Sequence, residues 1–512
     1  MKAKQDIEER RLVLQNQLDS EKTPLDRNRM GQFATPSELA GHIVAFAVSH
    51  LPKSESIRFL DPAIGTGSFY AALQRCAPRK RIADALGFEI DPHYGNPARE
   101  LWSGQPLDIR LQDFTRATPD FGANLLVCNP PYVRHHHLDS ATKARLQKRT
   151  KSACGIRISG LSGLYSHFIA LSHPWLAQDA ISAWLIPSEF MAVNYGRPVK
   201  DYLLDRVTLL QIHRFDPQDS QFADALVSSA VVVFKNALPP ADHHPILSYG
   251  GGLEKPMISR AIASDALRHE AKWTRYPKAS SAAAKPAVQL GDLFEIKRGI
   301  ATGDNKFFIM NRSQIRDHGL DLNFFTPILP PSRFIPDNEI AADRFGRPRL
   351  DKQLFLLNTR LPEQELAEKH PALKAYIDSG RDGAKPAANR YICQHRDPWY
   401  AQERREPAPL LCTYMGRGDR PFRFLLNYSK AIAGNVYLML YPKPALADAF
   451  AQDPDLIRRV WGFLNAIDPE HLLGHGRVYG GGLHKLEPKE LRSYPADALL
   501  KEMPSLSASK VS

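Results

Sequence analysis

The stretch Ile57-Arg58-Phe59-Leu60-Asp61-Pro62-Ala63-Ile64-Gly65-Thr66-Gly67-Ser68-Phe69 decides the fold of this chain. Ile57, Phe59 and Leu60 read as a short buried strand, Gly65 and Gly67 as the turn that ends it, and a helix is predicted from Ser68. A strand passing through a glycine turn into a helix is the opening unit of an α/β sheet, and glycine there lets the backbone approach a ligand closely. A dinucleotide fingerprint wants a third glycine at position 70, where this chain has Tyr70.

Working outward, the run Ala85 to Asp91 predicts a second strand that ends in a carboxylate about twenty residues past the glycine turn, a placement that suits a ribose diol. Glu89 fits that role better than Asp91. Asp108 to Phe114 predicts a third strand, closed by Asp113 with an aromatic neighbour and able to accept an adenine amino group. The apolar run Leu125-Leu126-Val127-Cys128 predicts a fourth strand and leads into Asn129-Pro130-Pro131-Tyr132. Carboxylates after strands also cap helices. Asp61, Glu89, Asp113 and Asn129 on four successive strand ends nevertheless sit where open α/β sheets bind ligands. Further strands are predicted at Ile181 to Ile186, Leu209 to His213 and Ser229 to Phe234, with helical patterns such as Tyr165 to Leu176 between them. The alternation predicts a mainly parallel sheet covered on both faces.

Asn-Pro-Pro-Tyr carries a specific chemistry. A planar exocyclic amine is a poor nucleophile until acceptors draw its nitrogen toward tetrahedral geometry. The Asn129 side-chain oxygen and the Pro130 carbonyl can each accept one N–H as charge develops, the prolines stiffen the turn, and Tyr132 offers a flat face to a base taken out of the stack. A plain turn ending a buried strand is the alternative.

In order and in content these motifs resemble the amino-group DNA methyltransferases, and among them the adenine-N6 enzymes of the TaqI type from restriction-modification systems. The resemblance runs from Gly31-Gln32-Phe33-Ala34-Thr35-Pro36 to about residue 236. It implies an S-adenosylmethionine-dependent, Rossmann-like sheet with helices on both faces. It implies cofactor contacts from Thr35, from Asp61, Ala63, Gly65 and Gly67 at the methionine end, from Glu89 with Ile90 at the ribose, and from Asp113, Phe114 and Phe168 at the adenine. Catalysis would fall to Asn129, Pro130, Pro131 and Tyr132, with Phe222 as the second aromatic against a flipped adenine and Phe215 as its rival. The partner implied is double-stranded DNA, with a separately acting restriction endonuclease as a possible companion. Protein-glutamine methyltransferases share the Asn-Pro-Pro-Tyr motif, and cytosine-N4 enzymes usually carry serine in place of Asn129. A non-catalytic DNA-binding specificity protein is the reading from a different class.

Charge and composition agree with a nucleic-acid partner. Of the net +12, residues up to Gly250 carry 28 basic against 25 acidic side chains, hence +3, and the remainder 39 against 30, hence +9. Such an excess suits a polyanion. Between Val133 and Arg157 the chain places Arg134, Lys143, Arg145, Lys148, Arg149, Lys151 and Arg157 against Asp139 alone, a +6 segment expected as a loop. Arg134, Lys143, Arg145, Lys148 and Arg149 are the expected phosphate contacts, which position a duplex without reading it. His135-His136-His137 lacks partners at ligand spacing, so no metal is expected. Five cysteines without paired spacing and the absence of an apolar span or leader point to a reducing cytoplasm rather than a membrane.

The expected organisation is an amino-terminal helical extension over residues 1–29, the cofactor-binding catalytic domain over 30–240, a connector over 241–290, and a mixed α+β target-recognition domain over 291–512. Glu295-Ile296-Lys297, with Asp265 as a distant carboxylate, superficially matches half of a nuclease site, although the same stretch resembles the start of such recognition domains. Asn427-Tyr428-Ser429, Gly480-Gly481-Gly482 and the arginines Arg396, Arg417 and Arg420 complete the features singled out there.

Overall fold

The structure, a computed structural model, describes residues 2–215, 229–277, 288–418, 420–469, 472, 477–479 and 483–500. The chain divides near residue 283 into two compact units.

The first unit is built on nine strands: β1 (Ile57–Asp61), β2 (Ile82–Glu89), β3 (Asp108–Leu111), β4 (Ala123–Cys128), β5 (Leu176–Pro187), β6 (Thr208–Arg214), β7 (Ser229–Lys235), β8 (Ile246–Gly251) and β9 (Pro256–Ala261), in the order β3-β2-β1-β4-β5-β7-β6-β8-β9. β1 to β5 run parallel, while β7 lies antiparallel between β5 and β6. Leu60 of β1 pairs with Leu86 on one side and Leu126 on the other, which levels the ends of three strands. The strand order reverses between β1 and β4, and a crevice opens there because the connections leave in opposite directions.

The strands are apolar at nearly every position because both faces are covered. Leu60, Leu126, Cys128, Trp184 and Ile186 enter one core, whereas Phe59, Leu125, Val127, Ala183 and Leu185 enter the other. Neighbouring residues alternate between the two cores, as the two-residue period of a strand requires. The described α-helices of this unit are α1 (Lys2–Ser20), α2 (Pro24–Met30), α3 (Ser37–Ser49), α4 (Ser68–Cys76), α5 (Pro92–Leu101), α6 (Ser140–Cys154), α7 (Leu164–Ser172), α8 (Arg197–Asp205) and α9 (Ser264–His269). α3, α4 and α5 contribute to the Phe59 core through Ile43, Tyr70 and Ala98, and α6, α7 and α8 to the Leu60 core through Leu146, Ile169 and Leu203.

Two expectations change. The stretch expected as a connector after residue 240 holds β8 and β9, which extend the sheet beyond β6. Pro239-Pro240 punctuates a return rather than a domain end: Ile212 pairs with Leu247, and Leu247 in turn with Arg260. The segment after the Asn-Pro-Pro-Tyr motif is a helix and not a loop, since Asp139 caps α6 by accepting from the Thr142 amide at 2.7 Å, and Leu146, Thr150 and Cys154 bury its inner face. The Lys278 to Pro286 tract lies outside the described residues.

The second unit is mixed α+β. Its larger sheet joins Phe294–Arg298, Tyr437–Pro442, Leu410–Thr413, Phe424–Asn427 and Glu339–Ile340, and a three-stranded sheet joins Ile309–Met310, Leu354–Leu357 and Phe325–Ile328. No described helix is long and apolar enough to cross a membrane.

Candidate active site

The ends of β1, β2, β3 and β4 surround a cavity of about 230 Å³ in the first unit. Ala63, Gly65, Glu89, Ile90, Asp113, Phe114, Phe168, Asn129 and Pro131 line it, so the structure brings these expected residues together.

At the β1 end the two glycines divide the work. Gly65 has φ +55°, and a Cβ there would meet no atom within 4 Å, which leaves the turn open toward the cavity. Gly67 has φ +92°, and its Cβ would lie 2.5 Å from Trp102 Nε1, which donates to the Thr66 carbonyl at 2.9 Å. Gly67 therefore serves packing behind the turn rather than the cavity wall. Asp61 is also behind it, 1% exposed, with one carboxylate oxygen accepting from the Ala63 amide at 3.1 Å. Burial pushes its carboxyl up to about 7, against the pull of that amide and the Cys128 thiol.

This buried acid predicts a pH effect on the ligand-free protein. The folded pKa exceeds that of the unfolded chain, so stability is fully present below the unfolded value near 4 and is lost as pH rises through 7. About three units correspond to about 4 kcal/mol. Asp61→Asn removes the term and is expected to raise the melting midpoint relative to wild type at pH 8 much more than at pH 5. A difference that stays flat across that range contradicts the assignment.

Glu89 at the β2 end accepts from the Gly65 amide at 3.1 Å and from the Asp91 amide at 2.8 Å. Burial raises its carboxyl above the ordinary range, and these amides oppose it. Asp91 is spent elsewhere: it caps α5 through the His93 amide, binds Lys22, and accepts from Gln32 at 2.8 Å. At the β3 end Phe114 and Phe168 stand with ring centroids 5.4 Å apart. Asp113 caps the turn that follows, accepting from the Thr115 amide and hydroxyl at 2.8 and 2.7 Å.

The Asn-Pro-Pro-Tyr motif is held by the segment Gly31 to Pro36. Tyr132 donates its amide to the Gly31 carbonyl at 3.3 Å, and Asn129 Nδ2 donates to the Phe33 carbonyl at 3.0 Å and to Thr35 Oγ1 at 3.1 Å. Two acceptors on Nδ2 fix which way the amide points. Asn129 Oδ1 is then a buried oxygen with no hydrogen-bond partner, a state that costs about 1–3 kcal/mol and so marks a site that awaits a donor. Thr35 is buried and faces Asn129, so it orients that side chain rather than lining the cavity. Tyr132 is 8% exposed, packs near Phe33, and donates its hydroxyl to the Leu185 carbonyl at 3.1 Å; it stands beside the cavity and does not line it. Phe222 lies outside the described residues, and Phe215 packs edge-on to His213 in the Phe59 core.

Sequence reasoning expected the amino-terminal helix but missed its place at the cavity. Gln15 and Asp19 of α1 line the cavity. Arg11, 1% exposed, donates to Glu8, Thr66, Ser68 and Ser37, and Gln15 accepts from Thr66 Oγ1 at 2.6 Å. Asp19 accepts from Tyr94 at 2.8 Å. α1 thus clamps the glycine turn and closes one side of the cavity. The signal was the phase of Arg11, Gln15 and Leu18, which share a face although two of them are polar.

Among the described residues no group of three or more His, Cys, Asp or Glu side chains stands ready to hold a metal. Glu295 is ion-paired with Lys297 at 2.7 Å. In the second unit Arg396 is committed to the Ala301 and Thr302 carbonyls and to Gln402, and Asn427 builds a turn by donating to the Ala408 and Ala431 carbonyls and accepting from Ser429. Arg417 and Arg420 are exposed. Gly480 to Gly482 lie outside the described residues.

Two family profiles match this chain. One, described as the Eco57I restriction-modification methylase, covers residues 109–222, and the other, the C-terminal domain of the type II methyltransferase M.Eco57I, covers 277–511. Type II methyltransferase M.AccI of Acinetobacter calcoaceticus is 27% identical over 484 residues, or 91% of this chain and 85% of that protein. Over most of its length the chain is similar to type II restriction-modification methyltransferases. M.XamI of Xanthomonas campestris pv. amaranthicola is likewise 27% identical, over 90% of this chain and 84% of its own length. Among solved structures, the DrdV–DNA complex aligns with 91% of this chain and 55% of its own, at a TM-score of 0.51 and 13% identity. MmeI in complex with DNA aligns with 83% of this chain and 60% of its own, at a TM-score of 0.50 and 12% identity. These two support the fold. Methyltransferases of this kind use S-adenosylmethionine, and the open glycine turn, the Glu89 carboxylate and the paired phenylalanines form a cradle that fits it.

Proposed function

We propose that this chain is a restriction-modification methyltransferase that modifies the N6 amine of an adenine swung out of duplex DNA. The observation that carries the reading is Asn129 at the cavity, its Nδ2 tied down and its Oδ1 left over as an acceptor. Cytosine-N4 enzymes, which the motif also resembles, usually have serine at that place.

In this reading Ala63 and Gly65 hold the methionine end of the cofactor, Glu89 and Ile90 the ribose, and Asp113, Phe114 and Phe168 the adenine, while Asp61, Gly67 and Thr35 support these from behind. Bound S-adenosylmethionine supplies an electrophilic methyl group on a cationic sulfur. The residues of this chain have to make the amine nucleophilic and hold it in line. Asn129 Oδ1 and the Pro130 carbonyl accept its two N–H bonds and stabilise the positive charge that develops on nitrogen, in a site that needs no reorganisation at that moment. Pro131 walls the cavity beside them, and Tyr132 and Phe222 are assigned to the faces of the base. Positioning supplies much of the rate. Arg134, Lys143 and Lys148 face the flanking phosphates, and the second unit, with the +9 excess of the carboxyl-terminal half, clasps the duplex. A separately acting endonuclease of the same specificity would complete the system.

Tritiated methyl transfer to DNA followed by nucleoside digestion tests this. Label is expected in N6-methyladenine. Label in N4-methylcytosine or in protein glutamine would sink the adenine assignment, and no transfer to any substrate would favour a non-catalytic DNA-binding protein.

A further inference from the structure

The cations of α6 do not all face the same partner. Lys148 and Lys151 are exposed, whereas Arg145, three residues before Lys148, turns inward and lines the cavity together with Thr142 and Leu146. Helical phase causes this, because Leu146, Thr150 and Cys154 fix the buried stripe and Arg145 and Arg149 flank it. Arg145 Nη1 donates to the Thr115 carbonyl at 3.2 Å and to its hydroxyl at 3.1 Å, and Arg145 Nη2 lies 3.8 Å from Asp113 Oδ2. One turn on, Arg149 donates to the Ala117 carbonyl at 2.7 Å. Both arginines therefore pin α6 to the turn that carries Asp113 and Phe114.

Asp113 has one oxygen spent. Its Oδ1 accepts from the Thr115 amide and hydroxyl, which leaves Oδ2 as the lobe shared by Arg145 and by Arg116 at 3.3 Å. A carboxylate braced in this way keeps its rotation fixed. A purine with a 6-amino group meets it with a donor, and a purine with a 6-oxo group meets it with a lone pair. Sites built to bond a particular polar group reject the analogue that lacks it, because the buried partner is left unpaired.

We propose that Arg145 is a positioning residue of the cofactor pocket, bracing Asp113 to select a 6-aminopurine, and that it is not a DNA contact. The inference rests on reading the cavity as the S-adenosylmethionine pocket. It separates the cations of the segment into two sets: Arg145 and Arg149 serve the purine end, and Lys148 and Lys151 serve a polyanion.

The test uses the full chain and two probes, S-adenosylhomocysteine and its hypoxanthine analogue S-inosylhomocysteine, titrated calorimetrically without DNA. Wild type is expected to prefer the adenine form strongly. Arg145→Met should weaken S-adenosylhomocysteine by about tenfold or more, and the hypoxanthine analogue much less, so that the preference narrows, as expected when a charge-assisted partner is lost. Its affinity for a DNA duplex, and the salt dependence of that affinity, should match wild type. Arg145→Lys should recover part of the preference, and it replaces Arg145→Met should the latter not fold. Lys148→Ala combined with Lys151→Ala should do the reverse, weakening DNA binding and its salt slope while leaving both probes unaffected. The proposal is overturned if Arg145→Met and Arg145→Lys keep the wild-type preference, or if they lower DNA affinity and salt slope as the lysine pair does. Wild type that binds S-adenosylhomocysteine while the arginine variants behave normally removes this proposal alone. Wild type that binds neither probe removes the cofactor-pocket reading as well.

Discussion

Asn129→Ala is expected to lower the rate of methyl transfer by about 10²–10³-fold or more, the loss typical of removing one preorganised group from a developing charge. S-adenosylhomocysteine affinity should stay within a few-fold of wild type, because Asn129 meets the cavity at its β4 end while the glycine turn, Glu89 and Asp113 form the rest. The side chain also holds the Gly31 to Pro36 segment through its bonds to Phe33 and Thr35. Separating these roles needs a second variant. Thr35→Val keeps Oδ1 and removes one acceptor from Nδ2, so it should cost about 1 kcal/mol, or roughly fivefold in rate. Single-turnover transfer assays with calorimetry on the same preparations read both. Asn129→Ala retaining near-normal turnover refutes the catalytic assignment, and Thr35→Val proving as damaging as Asn129→Ala would transfer the weight from charge stabilisation to orientation.

The parts of the site that the sequence exposed are those where a strand ends. At β1, β2, β3 and β4 a strand of four to eight residues stops at or just before a polar side chain, and the sheet brings these ends to one level because Leu60, Leu86 and Leu126 are in register. No long-range knowledge is needed to list them. What stayed hidden depends on rotation about a helix axis or on pairing across the sheet. Arg145 and Lys148 belong to the same charged run and neighbour each other on the helix, and only the bonds of Arg145 to Thr115 and its approach to Asp113 show that it turns inward while Lys148 stays exposed. Arg11 looks like a solvated charge among Glu8, Glu9 and Arg10, yet it is buried against the hydroxyls of Thr66 and Ser68, more than fifty residues away. β8 and β9 carry a weak apolar pattern because they form the edge of the sheet, where one strand alternates half-buried and exposed positions. Tyr132 is expected to present a face to a base, and the bond from its hydroxyl to Leu185 ties its far end to the core. Neither that bond nor its neighbour Phe33 is visible in local sequence.

Gly31→Ala is expected to disable the enzyme through the backbone alone, without touching a polar group of the site. Gly31 has φ +67°, and a Cβ there would stand 2.4 Å from the Tyr132 amide nitrogen and 2.9 Å from the Val133 nitrogen. These are backbone atoms of the Asn-Pro-Pro-Tyr motif and of the residue after it, so neither side can yield by rotating a side chain. The amide of Tyr132 that donates to the Gly31 carbonyl is the one struck. Relief requires the Gly31 to Pro36 segment to move away, and Phe33 and Thr35 then release Asn129 Nδ2. Gly104→Ala isolates the conformational part of the effect: its φ is +76°, and its Cβ would meet nothing within 4 Å. That control should cost about 1–2 kcal/mol of stability, the left-handed penalty of an L-residue, and leave transfer intact. Gly31→Ala should add to this a loss of turnover of about two orders of magnitude or more, of the size produced when a reacting group is misplaced by an ångström. S-adenosylhomocysteine affinity should fall as well, because Gly31 and Phe33 line the cavity. Equal turnover in the two variants would mean that the close approach of these two motifs is a packing detail, and that Asn129 holds its orientation without it.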